Sequence, residues 1–591
     1  MQTEVTSPNR IAPTGAQPRE FAVRPTGRLL RVLPCLLAFA TAAQAQVPSL
    51  LDAQLIALRG DPIPGYEAAG STHDIGTGST TAHLGPAGHV AYFVRPFGQA
   101  RGWLYWNDGT TRNLWFENQP IPAGVDTTRD AFSFALAGID SDGHIAYQTL
   151  LSCPDGGNAG NCTVHANLVG SPLSLTNYVL MSWDDPKSGA GALAINKTGA
   201  VAAIGRYFED NFLREELRVF PTDDPSDADW VVTSGLSVSD DANEDLFADQ
   251  IRQVKLSETG HAFALVTLED ENKVDIIERV IVTGSSWANQ ILLARTSTPA
   301  PGPPALGSLP WVGFQSFKAT TNQRIALQGR VLVNGLWSVT ATDQRLVMMP
   351  DHTSFIGAQP DEIITSWGTS DYEIGRNGDI VFMAKTNLER DGVFRWQSGS
   401  LTALLIEGQP APSVEGRTVN TVSVFRTNPR GDVVVPGSLN VGGSVLYLFE
   451  TGETEPRIIV RPGDLYQLGG EQETLSGFQL PTGSVDERTI FNDKGQLAIG
   501  LQSISPTKIG LFLLETSRPD DTFSLDGDDA IVVVQTIPGK RLALRRTTDF
   551  VNFTDVATGI TGDGESIEVR DPGVRLAFDN AYYLVFVEGD A

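Results

Sequence analysis

One short phrase, returning at near-regular intervals along most of the chain, constrains the fold more than any other feature. It reads Asn or a substitute, two residues, Gly, two residues, then Ala or a β-branched residue followed by an apolar one. Copies stand at Gly85–Tyr92, Asp140–Tyr147, Asn196–Ala203, Ser257–Ala264, Gly375–Phe382, Asn428–Val435 and Asn492–Ile499, with a degenerate one at Thr320–Leu327. Successive starts lie 53 to 64 residues apart. A unit recurring about eight times, with a period of roughly 58 residues, marks a repeat architecture.

Each copy has a physical reading. Asn-x-x-Gly is a tight turn in which Gly takes a positive φ that other residues resist. The turn residues are Gly88, Gly143, Asn196, Gly199, Gly260, Gly378, Asn428, Gly431, Asn492 and Gly495. The apolar residues that follow begin a strand, and the small Ala lets a neighbouring sheet approach closely. A second phrase runs in phase, as Gly60-Asp61-Pro62-Ile63-Pro64-Gly65, Gln119-Pro120-Ile121-Pro122 and Gly408-Gln409-Pro410-Ala411-Pro412. Its prolines cannot donate to a ladder, so it reads as an extended connection between sheets. A third phrase, Gly followed by alternating aromatics, marks another strand: Gly102–Trp106, Gly392–Trp396 and Gly510–Leu513.

These phrases together resemble the NxxGxxAF tandem-repeat family of exported bacterial proteins, whose units also carry a G-[D/Q]-P-x-P-G element. The resemblance covers roughly residues 50–515, blurred in units four and five. It implies export and brings no established activity.

About four strands per unit is the blade arithmetic of a β-propeller. The sequence therefore predicts an all-β fold: a propeller of eight, or seven, blades over residues 46–518, with a β-solenoid as the competing architecture. Residues 519–591 depart from the repeat and alternate as strands at Ala530–Ile537, Leu542–Thr547, Ser566–Val569 and Tyr582–Val587. Asp549–Asp555 reads as a bridge between two of them. This tail resembles small β modules at the C-terminal ends of exported bacterial proteins, and a compact sandwich is expected.

Residues 1–45 read as a cleavable signal peptide. Arg24, Arg28 and Arg31 flank the apolar run Leu33–Ala43, and Ala43-Gln44-Ala45 is an A-x-A cleavage signature. The run is too short to span a bilayer. Cys35 offers a lipoprotein alternative, but Pro34 stands where a small residue is wanted. The remaining Cys153 and Cys162 flank a flexible Gly/Asn-rich loop, and in an oxidising compartment a disulfide between them is expected. The chain is read as periplasmic, surface-located or extracellular, and monomeric.

The net charge of −27 excludes a general nucleic-acid binder and docking on anionic lipid by charge alone. The acidic runs Asp223–Asp229 and Asp240–Asp245 read as solvated loops at unit four, since neither carries the spaced ligands of a calcium loop. Asp140-Ser141-Asp142-Gly143 coincides with a repeat turn and reads as turn chemistry. His89, His144 and His261 each follow a repeat Gly, so they are equivalent positions around a ring, with convergence on one metal as the sharper alternative. No zinc helix motif, nucleophile elbow or phosphate loop occurs. Trp103, Trp106 and Trp396 recur at one blade position and read as packing rather than sugar platforms. No catalytic set, cofactor or metal site is assigned. The expectation is a scaffold that binds an unidentified ligand or partner through loops on a propeller face, against a propeller hydrolase using carboxylates at the ring centre.

Overall fold

A computed structural model of the 591-residue chain describes residues 51–64, 73, 81–94, 101–116, 119–120, 130–151, 164–171, 176–183, 189–209, 212–220, 229–236, 246–270, 276–302, 309–319, 323–453, 455–468, 470–481, 490–504, 508–516, 523–526, 529–535, 541–547, 553–561, 566–572 and 582–587. The leader 1–45, Cys153 and Cys162 lie outside the described residues. So do the acidic runs, apart from Asp229.

Among the described residues, eight antiparallel sheets of four or five strands follow one another along the chain. They are the blades of a β-propeller. In blade one the order is Ala82–Leu84, Val90–Val94, Gly102–Asn107 and Thr110–Phe116, each strand pairing with the next. The innermost strands of blades two to eight are Asp130–Ile139, Gly189–Ile195, Leu246–Leu256, Gly313–Ala319, Ile364–Ile374, Val419–Val422 (continued by Arg426–Thr427) and Glu471–Gln479. The repeat phrase is the turn between first and second strands, and the aromatic phrase is the third strand. The Pro-rich phrase leads from the outermost strand to the next blade. There it makes only short pairings, as between Pro299–Ala300 and Leu309–Pro310.

Eight seams hold the ring, each with its own apolar cluster drawn from two adjacent blades. Val434, Leu446 and Leu448 of blade seven meet Leu497, Ile499 and Phe512 of blade eight. Val381 and Val393 of blade six meet Val433, Val435 and Tyr447 of blade seven. One strand feeds two seams because its side chains alternate. Val90 and Tyr92 face blade eight, while Ala91 faces blade two. With both faces covered, the middle strands are continuous apolar runs such as Val433–Val435, all buried. Trp103, Trp106 and Trp396 are buried in these seams.

Ring closure comes from the two ends of the repeat region. Ala53–Leu58 pairs antiparallel with Ile509–Glu515 and so supplies the outer strand of blade eight. Ile56 and Ala57 pack with Leu511, Leu513 and the blade-one residues Val90 and Tyr92.

Beyond the propeller, Phe523–Asp526, Asp529–Gln535 and Ser566–Asp571 form one three-stranded sheet, and Phe553–Thr561, Arg541–Thr547 and Tyr582–Val587 form another. Val532 and Val569 of the first sheet pack with Leu542, Leu544 and Ile560 of the second, which makes a small sandwich. Phe553–Thr561 is itself a strand, not an extension of the bridge predicted from sequence. Its alternation of Thr, Val and Ile with small residues suits a half-buried sheet surface. Among the described residues, no helix is long and apolar enough to cross a membrane.

The closing strand generates a prediction. Deleting Asp52–Arg59 exposes Leu511 and Leu513 and leaves the strand Ile509–Glu515 with a bare edge, a template for aggregation. The shortened chain is expected to melt non-cooperatively and to elute as aggregates in size-exclusion chromatography. A monodisperse protein with an unchanged melt would contradict this closure.

Candidate functional site: the axial mouth

The repeat turn does two jobs, and both follow from its side chains. In Asn196-Lys197-Thr198-Gly199, Asn196 Oδ1 accepts the N–H groups of Thr198 and Ala200 at 3.1 and 2.9 Å, and Gly199 sits at φ 88°. The same asparagine points its amide outward, and Nδ2 donates to the Ser257 carbonyl of the next blade's turn at 2.9 Å. Asn428 donates likewise to the Asn492 carbonyl, and Asn492 to the Gly85 carbonyl at 3.1 Å, joining blade eight to blade one. Asp140 and Ser257 replace Asn where only the local half is made: Asp140 Oδ1 accepts from Asp142 and His144, and Ser257 Oγ from His261.

In three copies the residue after the repeat Gly position, His89, Arg324 or Gln496, lies over the turn of the following blade, where a side chain on that turn's Gly would collide with it. A Cβ on Gly143 would strike the His89 ring and the Tyr105 hydroxyl, and one on Gly378 would come within 2.6 Å of Arg324 Cδ. Gln496 closes the series over Gly88. In the degenerate fifth copy Gln323 stands in the glycine's place at φ 54°. His261 Nδ1 lies 3.1 Å from its side-chain amide.

The three histidines therefore do not converge. His89 covers the turn of blade two, His261 reaches blade five, and His144 Nδ1 lies 2.8 Å from Asp140 Oδ2 within its own turn. Asp140, Asp142 and His144 bring ligand atoms within 4.8 Å of one another, the one such grouping among the described residues. Asp140 spends both oxygens on that turn, so the cluster is accounted for by turn chemistry.

The second turn residue of most copies, Pro86, Lys197, Glu258, Arg376, Pro429 and Asp493, faces the ring axis. A central cavity of about 250 Å³ is lined by every blade, including Pro86, Gly138, Lys197, Glu258, Lys318, Arg376, Pro429 and Asp493. Four of these side chains form a chain of ion pairs across the mouth. Arg376 of blade six holds Glu258 of blade four at 2.6 Å and Asp493 of blade eight at 2.7 Å, and Lys197 of blade three holds the other Glu258 oxygen at 2.7 Å. Blades four and eight are opposite in an eight-membered ring, so Arg376 spans the opening. Lys318 of the same cavity lies 3.8 Å from Glu373.

Burial pushes the Glu258 carboxyl up, but hydrogen bonds from Lys197 and Arg376 outweigh it and hold the carboxyl below its ordinary value. Hydrogen bonding to Glu258 in turn holds the Arg376 pKa up, against burial. Sequence reasoning gave none of these four residues a functional role. The signal was present, since they occupy one position of the repeat, but their charges vary and only the closed ring brings them together.

Residues 178–508 match the DUF7453 family, described as a family of unknown function. No curated protein matches the sequence. Among solved structures the chain is similar to a prolyl endopeptidase at 11% identity and a TM-score of 0.37, covering 64% of this chain and 49% of that one. An acylaminoacyl peptidase of Pyrococcus horikoshii gives 11% identity, a TM-score of 0.31 and coverage of 64% and 52%. The Dos1 propeller gives 10%, 0.34 and coverage of 74% and 93%. The chain thus spans about half the length of the two peptidases.

Two predictions follow from this geometry. Gly260 has open space where a Cβ would sit, so Gly260→Ala is expected to cost only the left-handed strain, about 1 kcal/mol. Gly143→Ala adds overpacking against His89 and Tyr105 and is expected to cost about 2–3 kcal/mol more; urea-melt midpoints of the two variants measure the gap. Arg376→Met should cost about 1–2 kcal/mol at low salt, shrinking as salt rises. Glu258 has a depressed carboxyl, so its contribution is present above its ordinary value of 4.5 and lost as pH falls below it. The gap between wild type and variant should close in that direction.

Proposed function

The chain belongs to the DUF7453 family, whose function is unknown, and we propose that it is an exported binding scaffold that takes a ligand or partner on the loops of a propeller face. The observation that carries this reading is the commitment of the mouth carboxylates. Glu258 and Asp493 both grip Arg376, and the Glu258 carboxyl is held down rather than raised. A glycoside hydrolase working at the ring centre needs one carboxyl kept protonated near neutral pH as general acid. A pair locked to a guanidinium does the opposite: it narrows the opening and fixes the blades.

The signal-like leader, the acidic surface and the Cys153–Cys162 pair support an oxidising, extracytoplasmic setting. In this reading the repeat turns serve the ring and recognition falls to the connections between strands, which vary in length and composition from blade to blade.

The test is a glycan-array and hydrolase-substrate screen on the mature chain, with Glu258→Gln and Asp493→Asn alongside. Binding that both variants retain, with no turnover, is the expected result. Hydrolysis of a polysaccharide or ester substrate that either variant abolishes would replace this reading with the hydrolase one.

A further inference from the structure

An acidic protein with a polar cavity walled by arginines invites an explanation, and one such cavity lies between blades three, four and five. It measures about 620 Å³ and is lined by Arg206, Gln250, Arg252, Arg279, Gln315 and Ser316, among others. Two irregular strands shape it. The blade-four inner strand skips a pairing partner between Ile251 and Gln253, and the blade-five inner strand does so between Phe314 and Ser316. Arg252 and Gln315 are the extra residues, and such bulges re-aim side chains out of the ladder.

The three guanidinium groups are not equally compensated. Arg206 Nε donates to Glu215 Oε1 at 2.7 Å, and Glu215 is itself anchored by the Ile251 N–H. Arg252 Nε donates to the neutral Thr267 hydroxyl at 3.0 Å. Arg279 donates to the Phe314 carbonyl at 3.0 Å. Neither Arg252 nor Arg279 has a carboxylate within salt-bridge distance among the described residues. Burial, and after it the charge of Arg252, lowers the Arg279 pKa. Two guanidinium groups close enough to repel, at a cavity wall, without an acid between them, leave several N–H donors unspent. The planar fork suits a carboxylate, sulfate or phosphate oxyanion. The volume exceeds that of a bare ion and falls in the range of small-molecule sites.

We propose that this cavity binds a small ligand through an oxyanion held between Arg252 and Arg279. The site is separate from the axial mouth, and the inference stands whether or not the face loops bind a partner. The test is calorimetric titration of the mature chain with inorganic phosphate, sulfate and citrate, each against chloride at matched ionic strength. At least one oxyanion should bind saturably, and the tetrahedral and carboxylate probes distinguish the preferred group. Arg252→Gln and Arg279→Gln should each weaken that binding by roughly tenfold or more, the loss expected for one charge-assisted contact. Arg345→Gln, which removes an exposed guanidinium paired with Asp343, should leave it unchanged. Absence of saturable binding to all three probes, or binding that survives both cavity variants, would overturn the proposal.

Discussion

The hydrogen bond from a turn asparagine to the next blade's turn carbonyl, made by Asn196, Asn428 and Asn492, ties neighbouring blades together at the axis. The amide is suited to it in a way that no other short side chain is. Its oxygen accepts from two backbone N–H groups of its own turn, and its nitrogen remains free to donate outward. One residue thus shapes a turn and ties it to a neighbour. Each bond is worth only about 1 kcal/mol net, but a ring closes only if every angle between blades adds up, and at these three junctions the bond fixes that angle nearest the axis. Where Asp140 or Ser257 stands instead, the outward donor is lost and other contacts take over: Ser141 N–H donates to the Lys197 carbonyl at 2.9 Å, and His261 meets Gln323.

The glycine three residues on can be constrained twice. Its positive φ is a matter of the turn itself, while in some copies the space above it is also claimed by the previous blade, through His89 over Gly143 and Arg324 over Gly378 but not at Gly260. Gln323 shows the two demands can be separated: it accepts the left-handed conformation without being glycine and makes its own contact with His261. The repeat blurs in sequence at this point although the turn geometry is kept.

What was legible in the sequence was local. The turn, the strand on each side of it, the aromatic third strand and the Pro-rich link each have a signature within one unit, and their order within a blade follows directly. The burial of Trp103, Trp106 and Trp396 was legible from their recurrence. What depends on the closed ring was not. Nothing in Ala53–Leu58 alone says that its partner lies at Ile509–Glu515, and Lys197, Glu258, Arg376 and Asp493 look like unrelated surface charges until their blades surround one axis. Arg252 was hidden for a different reason: a bulge, which no periodicity reveals, turns it toward the cavity.

The clasp in blade eight also bears on how such a chain could change its length. Because the first and last strands of the ring share one sheet, a repeat cannot be trimmed from either end without splitting a blade. Gain or loss of a unit has to occur inside the array, where each seam meets the next through similar turn and strand surfaces. The charged mouth limits even that. Arg376 reaches two blades in each direction, to Glu258 and to Asp493, so a unit inserted between blades four and eight would pull it from a partner, whereas one inserted between blades one and three would leave those intervals intact. Copy number in this fold is thereby coupled to a few charges at its centre.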